Sequence, residues 1–74
     1  MHATDDLTVL RMKDLTKFIG LSRSKIYEML DSKSKRYDPK FPRQVRLGIS
    51  AVGWYRGEVV AWLESRRPPS DEPT

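Results

Sequence analysis

The sequence predicts a mainly α domain with a small β-hairpin and three helices in all, and three observations carry that expectation. Two stretches with apolar residues three and four apart, residues 12–19 and 21–30, meet across a glycine. Between residues 43 and 54 the apolar period changes to two. A third helical pattern starts near Gly57 and is stopped by Pro68-Pro69.

Taken in order, residues 1–6 are polar and predict a disordered end, so the lone His2 is a terminal residue without chemistry. Leu7, Val9, Leu10 and Met12 are apolar enough to pack as a short extended lead-in. The first helix is expected from residue 12 or 13 to Ile19, with Met12, Leu15, Phe18 and Ile19 on its buried face. No good N-cap precedes it, although Asp14 suits the positive end of the helix dipole, and Lys13 and Lys17 face outward. Gly20 can take the left-handed conformation that ends this helix. Ser22 can then cap the next one, its hydroxyl accepting from a free N–H of the first turn. In that second helix Ile26, Met29 and Leu30 make one apolar face, with Leu21 at the entry. Arg23, Ser24, Lys25, Tyr27 and Glu28 are left on the other faces.

Residues 31–39 are polar and charged without an apolar period, so they predict a loop, which carries Lys33, Lys35, Arg36 and Tyr37. Pro39 and Pro42 bracket Phe41 and are expected to hold this part extended, with Phe41 pinned to the core. From Arg43 on, Val45, Leu47, Val52 and Trp54 alternate with polar residues and predict the inward face of a hairpin. Gly48 is expected to be its turn residue at positive φ, and Arg46 to face outward. Trp54 is in phase with Val52, which favours a core anchor over a stacking platform. The last helix is expected from Gly57, as N-cap, to Arg66 or Arg67, with Val59, Trp62 and Leu63 buried. Residues 68–74 form an acidic, proline-rich tail expected to be disordered, which leaves residues 7–67 as the single domain.

Seventy-four residues build only a small core, which disfavours an internal active site. There is no Cys for a disulfide or zinc-thiolate site, and the chain suits a reducing compartment such as the cytoplasm. The N-terminus shows no signal pattern, and no apolar run approaches the roughly 18 residues that span a bilayer. Catalysis needs a positioned nucleophile, a base or a metal. The only His is terminal, the central carboxylates Asp14, Glu28, Asp31, Asp38, Glu58 and Glu64 are scattered over positions expected to face solvent, and there is no glycine-rich phosphate loop. Neither an enzyme nor a bound cofactor or metal is expected.

Charge points to a polyanion instead. The formal balance is +4, yet residues 7–70 hold 14 basic and 6 acidic residues, and residues 22–46 alone hold eight against three. The basic residues are spread over helix, loop and strand, which does not suit a membrane-bound amphipathic helix. A glycine-linked helix pair whose second helix opens on Arg, Ser and Lys is the pattern of a helix-turn-helix that reads DNA. The same pattern also fits an ordinary helical hairpin with a solvated outer face.

The pattern from Leu10 to Arg67, carried by Leu10-Arg11-Met12-Lys13, Gly20-Leu21-Ser22-Arg23-Ser24 with Ile26-Tyr27, Phe41-Pro42-Arg43-Gln44-Val45-Arg46-Leu47-Gly48, Ala51-Val52-Gly53-Trp54 and Val59-Val60-Ala61-Trp62-Leu63-Glu64-Ser65-Arg66, resembles the AlpA family of small phage and prophage regulators. These are winged helix-turn-helix proteins of the excisionase-like, MerR type. The resemblance covers about three quarters of the chain. It implies double-stranded DNA as partner, a second helix in the major groove, a hairpin wing at the flanking groove, and control of integrase or excision functions in a bacterium or phage-infected host. The expected contacts are Ser22, Arg23, Ser24, Lys25 and Tyr27 on the helix, Lys35 and Arg36 on the loop, and Arg43, Arg46, Gly48 and Ser50 on the hairpin. Integrase, RNA polymerase or a neighbouring copy of the chain are the further partners it suggests. Two departures stand out: the loop over residues 31–39 exceeds the family's short linker, and Glu28 replaces a frequent basic residue. A carboxylate there is repelled by phosphate, which removes a presumed backbone contact unless Glu28 accepts from a cytosine amino group or pairs with a neighbour such as Lys25. An excisionase that bends attachment-site DNA, and an adaptor that binds protein, are the alternatives to a transcription regulator.

Overall fold

The computed structural model describes residues 6–67, which form β1 (Val9–Leu10), α1 (Met12–Ile19), α2 (Arg23–Leu30), β2 (Val45–Arg46), β3 (Val52–Tyr55) and α3 (Arg56–Ser65). The expected disordered ends, residues 1–5 with His2 and residues 68–74, lie outside the described residues. Asp6, which the sequence grouped with the polar end, is tied in. Its side chain accepts from the Thr8 N–H at 2.9 Å and from Arg56 Nε at 2.6 Å, and its carbonyl accepts from the Gly57 N–H.

The hairpin is part of something larger than expected. Val9–Leu10 is not a mere lead-in but an edge strand, and the sheet is antiparallel in the order β1-β3-β2. Val9 lies opposite Tyr55, Leu10 opposite Trp54, Val45 opposite Gly53 and Arg46 opposite Val52. Gly53 sits where the strands crowd: a Cβ there would lie 2.5 Å from Val9 Cγ1 and 3.0 Å from the Leu10 carbonyl oxygen. The central strand therefore needs a residue without a side chain at this crossing.

Leu15, Ile26, Trp54 and Val59 are fully buried and, with Phe41 and Trp62, make the core between the helices and the sheet. Phe41 meets the Trp62 ring edge-on, with centroids 4.8 Å apart, so the loop is pinned as expected. Trp54 is the core anchor predicted from its phase with Val52, although its indole N–H makes no hydrogen bond within the described residues.

Several local expectations are corrected. Phe18 is 43% exposed, because Leu15 and the half-buried Met12 and Ile19 already cover the inner side of the short helix α1. Leu47 is 45% exposed, since β2 ends at Arg46 and the chain turns before the alternation can continue. In that turn Gly48 does not take positive φ; Gly20, at φ 74°, is the left-handed residue among those described. The N–H groups of Leu47 and Gly48 both donate to the Ala51 carbonyl, so the turn closes without a left-handed residue at Gly48. Tyr55, not Gly57, is the N-cap of α3, which continues directly from β3. Residues 38–41 form a tight turn instead of an extended run, with the Phe41 N–H donating to the Asp38 carbonyl.

Asp38, expected among the solvent-facing carboxylates, has a side chain only 17% exposed. One oxygen accepts from Trp62 Nε1 at 2.9 Å and from Arg66 Nη1 at 3.1 Å, and the other from the Lys40 N–H. Burial pushes its pKa up, but the Trp62 and Lys40 bonds and the Arg66 and Lys40 charges outweigh this and hold it below the usual range. Asp6 is held at about 2, by the bonds from Thr8 first and from Arg56 second. A carboxyl with a lowered folded pKa stabilises fully above its unfolded pKa and loses that contribution as pH falls through the folded value. Thermal melts should therefore fall steeply as pH drops from about 4 toward about 2. Asp38→Ala should flatten that fall and cost about 1–3 kcal/mol at neutral pH, because it strands the Trp62 N–H. An Asp38→Ala protein with the wild-type acid profile would show the Asp38 cluster to be inert.

Candidate nucleic-acid interface

The turn into α2 is built as its sequence requires. Gly20 caps α1 in the left-handed region, at φ 74° and ψ 21°, and its N–H donates to the Thr16 carbonyl at 2.8 Å. Two residues later Ser22 is the extended N-cap of α2, its Oγ accepting from the Lys25 N–H at 3.2 Å. Ile26 is fully buried, and Leu21, Met29 and Leu30 pack around the core. Burying these residues leaves Arg23, Ser24, Lys25, Tyr27 and Glu28 exposed together on the outside of the helix.

Two clefts flank that outer face, and both are lined by cations. On the sheet side, a cleft of about 360 Å³ gathers Arg11, Lys13, Arg23, Tyr27 and Ser50. On the loop side, one of about 470 Å³ gathers Lys25, Lys35, Arg36 and Arg66. Of the residues expected from the sequence, Arg23, Tyr27 and Ser50 thus share one cleft, and Lys25, Lys35 and Arg36 the other. Ser22 and Ser24 are exposed at the start of α2. Arg46 turns onto its own hairpin, Nη1 donating to the Ile49 carbonyl at a long 3.4 Å, and Gly48 belongs to the same turn. Arg43 joins neither cleft and lines a groove with Lys40, Glu58 and Trp62 beside α3.

The loop that carries Lys35 and Arg36 is held by its own backbone. Ser34 and Tyr37 donate N–H bonds to the carbonyls of Asp31 and Ser34, Asp31 Oδ1 and Ser34 Oγ accept from Lys33 and Arg36, and the Asp38 N–H reaches the Met29 carbonyl of α2. Glu28 does pair with a neighbour, Arg36 at 3.1 Å, rather than with Lys25, because the loop folds back alongside α2. Both side chains are largely exposed, so the pair adds little stability.

Arg11 carries part of the family resemblance but is not among the contacts expected from the sequence. Its guanidinium Nε donates to the Val52 carbonyl at 3.0 Å, which fixes a cation at the rim of the sheet-side cleft. Nothing in the local pattern marks it, since its partner is 41 positions away. Arg66, quoted in the family motif but not among the expected contacts, leans over the Trp62 ring at 5.0 Å while it pairs with Asp38. Among the described residues, no group of three His, Cys, Asp or Glu side chains is placed to hold a metal, and no helix is long and apolar enough to cross a membrane.

Comparison with known proteins sets this arrangement in a family. Residues 8–67 match the family described as the prophage CP4-57 regulatory protein AlpA. The chain is 36% identical over 66 residues to the DNA-binding transcriptional activator AlpA of Escherichia coli K12, covering 89% of this chain and 94% of the relative. It is 40% identical over 57 residues to the uncharacterized protein ORF88 of enterobacteria phage P4, covering 77% of this chain and 58% of that one. No solved structure matches. The two-helix unit with its glycine turn, the sheet and the closing helix all fall within the matched residues, and the chain belongs to the AlpA family of prophage regulatory proteins.

Proposed function

We infer that this protein is a winged helix-turn-helix regulator of phage or prophage type that binds double-stranded DNA sequence-specifically. The observation that carries the inference is the outer face of α2, set between two cation-lined clefts. A B-form major groove, about 12 Å wide, admits one helix, and the phosphate strands at its edges would then run along the two clefts. Arg23 and Ser24 are assigned to base edges, and Lys25 and Tyr27 to the groove or its flanking phosphates. Arg11, Lys13, Lys35 and Arg36 are assigned to phosphates, with the β2–β3 hairpin as the wing. Membership of a family with a DNA-binding transcriptional activator favours transcription control over excision, with RNA polymerase, integrase or a neighbouring copy as protein partners.

Duplexes selected by the protein from a random pool, followed by competition against their single-base variants, test this assignment. Arg23→Ala should lose about 1–3 kcal/mol on the preferred duplex and relax preference at one position, whereas Lys35→Ala should weaken all duplexes alike. Equal losses across the panel for Arg23→Ala would reduce Arg23 to a phosphate contact. Failure to enrich any duplex would overturn the DNA assignment and leave a protein-binding adaptor.

A further inference from the structure

The tip of the β2–β3 turn carries an apolar side chain with no role in the fold. Ile49 is 96% exposed and belongs neither to the core nor to the residues packed against it. Single exposed apolar residues are ordinary on protein surfaces. A turn tip, however, usually takes Gly, Asn, Asp or Ser, and a β-branched residue gains nothing there for the backbone.

The tip is also held firmly. The Leu47 and Gly48 N–H groups both donate to the Ala51 carbonyl, at 2.7 and 3.2 Å, and Arg46 Nη1 adds a long 3.4 Å contact to the Ile49 carbonyl. Ser50, the next residue, lines the same cleft as Arg11, Lys13 and Arg23. An aliphatic side chain thus projects from a closed turn at the border of a cationic cleft. A phosphate strand drawn to those cations would bring the adjoining groove to the tip.

We propose that Ile49 is an apolar wedge, which the protein inserts between two base pairs in the minor groove beside the α2 site, kinking the duplex there. The proposal rests on the DNA-binding function inferred above and adds to it a source of DNA deformation. Unstacking a base step costs free energy, which burial of the aliphatic side chain against the base faces and the added backbone contacts of a bent duplex offset. Pyrimidine–purine steps are the easiest to unstack, so the protein selects for one under the tip without a hydrogen bond to it.

The test compares full-length wild type, Ile49→Ser and Ile49→Leu. Each selects duplexes from a random pool, and the wild-type winner is then made with 2-aminopurine at the step beneath the tip and in permuted positions for gel bending. Wild type should enrich a TA or CA/TG step to one side of its main contact sequence, bend the duplex, and raise the 2-aminopurine fluorescence on binding. Ile49→Ser should melt like wild type and keep the main sequence preference and the salt dependence. It should also bind about tenfold more weakly and lose the step preference, the bend and the fluorescence rise. Ile49→Leu should restore all three. Wild-type binding without bend or fluorescence rise, or an Ile49→Ser protein that keeps both, would overturn the wedge while leaving DNA binding intact. If wild type enriches no duplex, the wedge and the DNA-binding function fall together.

Discussion

A Trp54→Ala protein should be largely unfolded at room temperature. Trp54 is fully buried in the central strand, opposite Leu10, and belongs to the core cluster that includes Leu15, Ile26 and Val59. Removing a buried indole costs about 3–5 kcal/mol through lost burial and the cavity left behind. A core of this size, without a disulfide, supplies about as much in total. Circular dichroism melts should thus show no cooperative transition, and any loss of DNA binding should track the loss of fold. Trp54→Phe should fare much better, because the ring is kept and the missing indole N–H had no hydrogen bond within the described residues to lose. A folded Trp54→Ala protein that does not bind DNA would move Trp54 from the core to the contact surface.

The second large effect is expected from salt. The two clefts flanking α2 bring together Arg11, Lys13, Arg23, Lys25, Lys35 and Arg36, apart from Arg66, which Asp38 engages. With Arg23 assigned to a base edge, one phosphate neutralised by each of the other five gives a slope of log affinity against log salt of about −4.5, or about 500-fold between 50 and 200 mM. Lys35→Ala should bring the slope up by about one unit, since it removes one phosphate contact and no fold contact. Arg36→Ala should change it by less, because Arg36 already shares its charge with Glu28 at 3.1 Å. Fluorescence anisotropy over a salt series measures all three proteins. A flat titration for wild type would rule out phosphate neutralisation as the source of binding.

What could be read ahead of the structure follows the range of the interactions involved. The helix pair was legible because Gly20, Ser22 and the three-and-four spacing of Ile26, Met29 and Leu30 act within one or two turns of chain. β1 was not. Two residues, Val9 and Leu10, are too short to show an alternation, and what makes them a strand is β3, far along the chain. Asp38 was misjudged for the same reason, its burial resting on Trp62 and Arg66 in α3. Leu47 followed the alternation correctly as a pattern, but the backbone leaves the sheet one residue earlier. In the candidate interface, the cations of α2 and the loop were legible by type and position. Their sorting into two clefts, and the place of Arg11, depend on how the loop and the sheet flank α2.

The central position of β3 also governs when the domain can form. Both edge strands precede it in the chain, and among the described residues α3 is the element that follows it. As the polypeptide leaves the ribosome, α1 and α2 emerge with Val9 and Leu10 unpaired and without Trp54, Val59 and Trp62 to cover Leu15 and Ile26. Local helix formation cannot hold such short segments together, so folding waits for the C-terminal third and then closes the longest loops of the chain in one cooperative step. Cutting the loop over residues 31–39 would accordingly yield two fragments, neither of which holds a complete core.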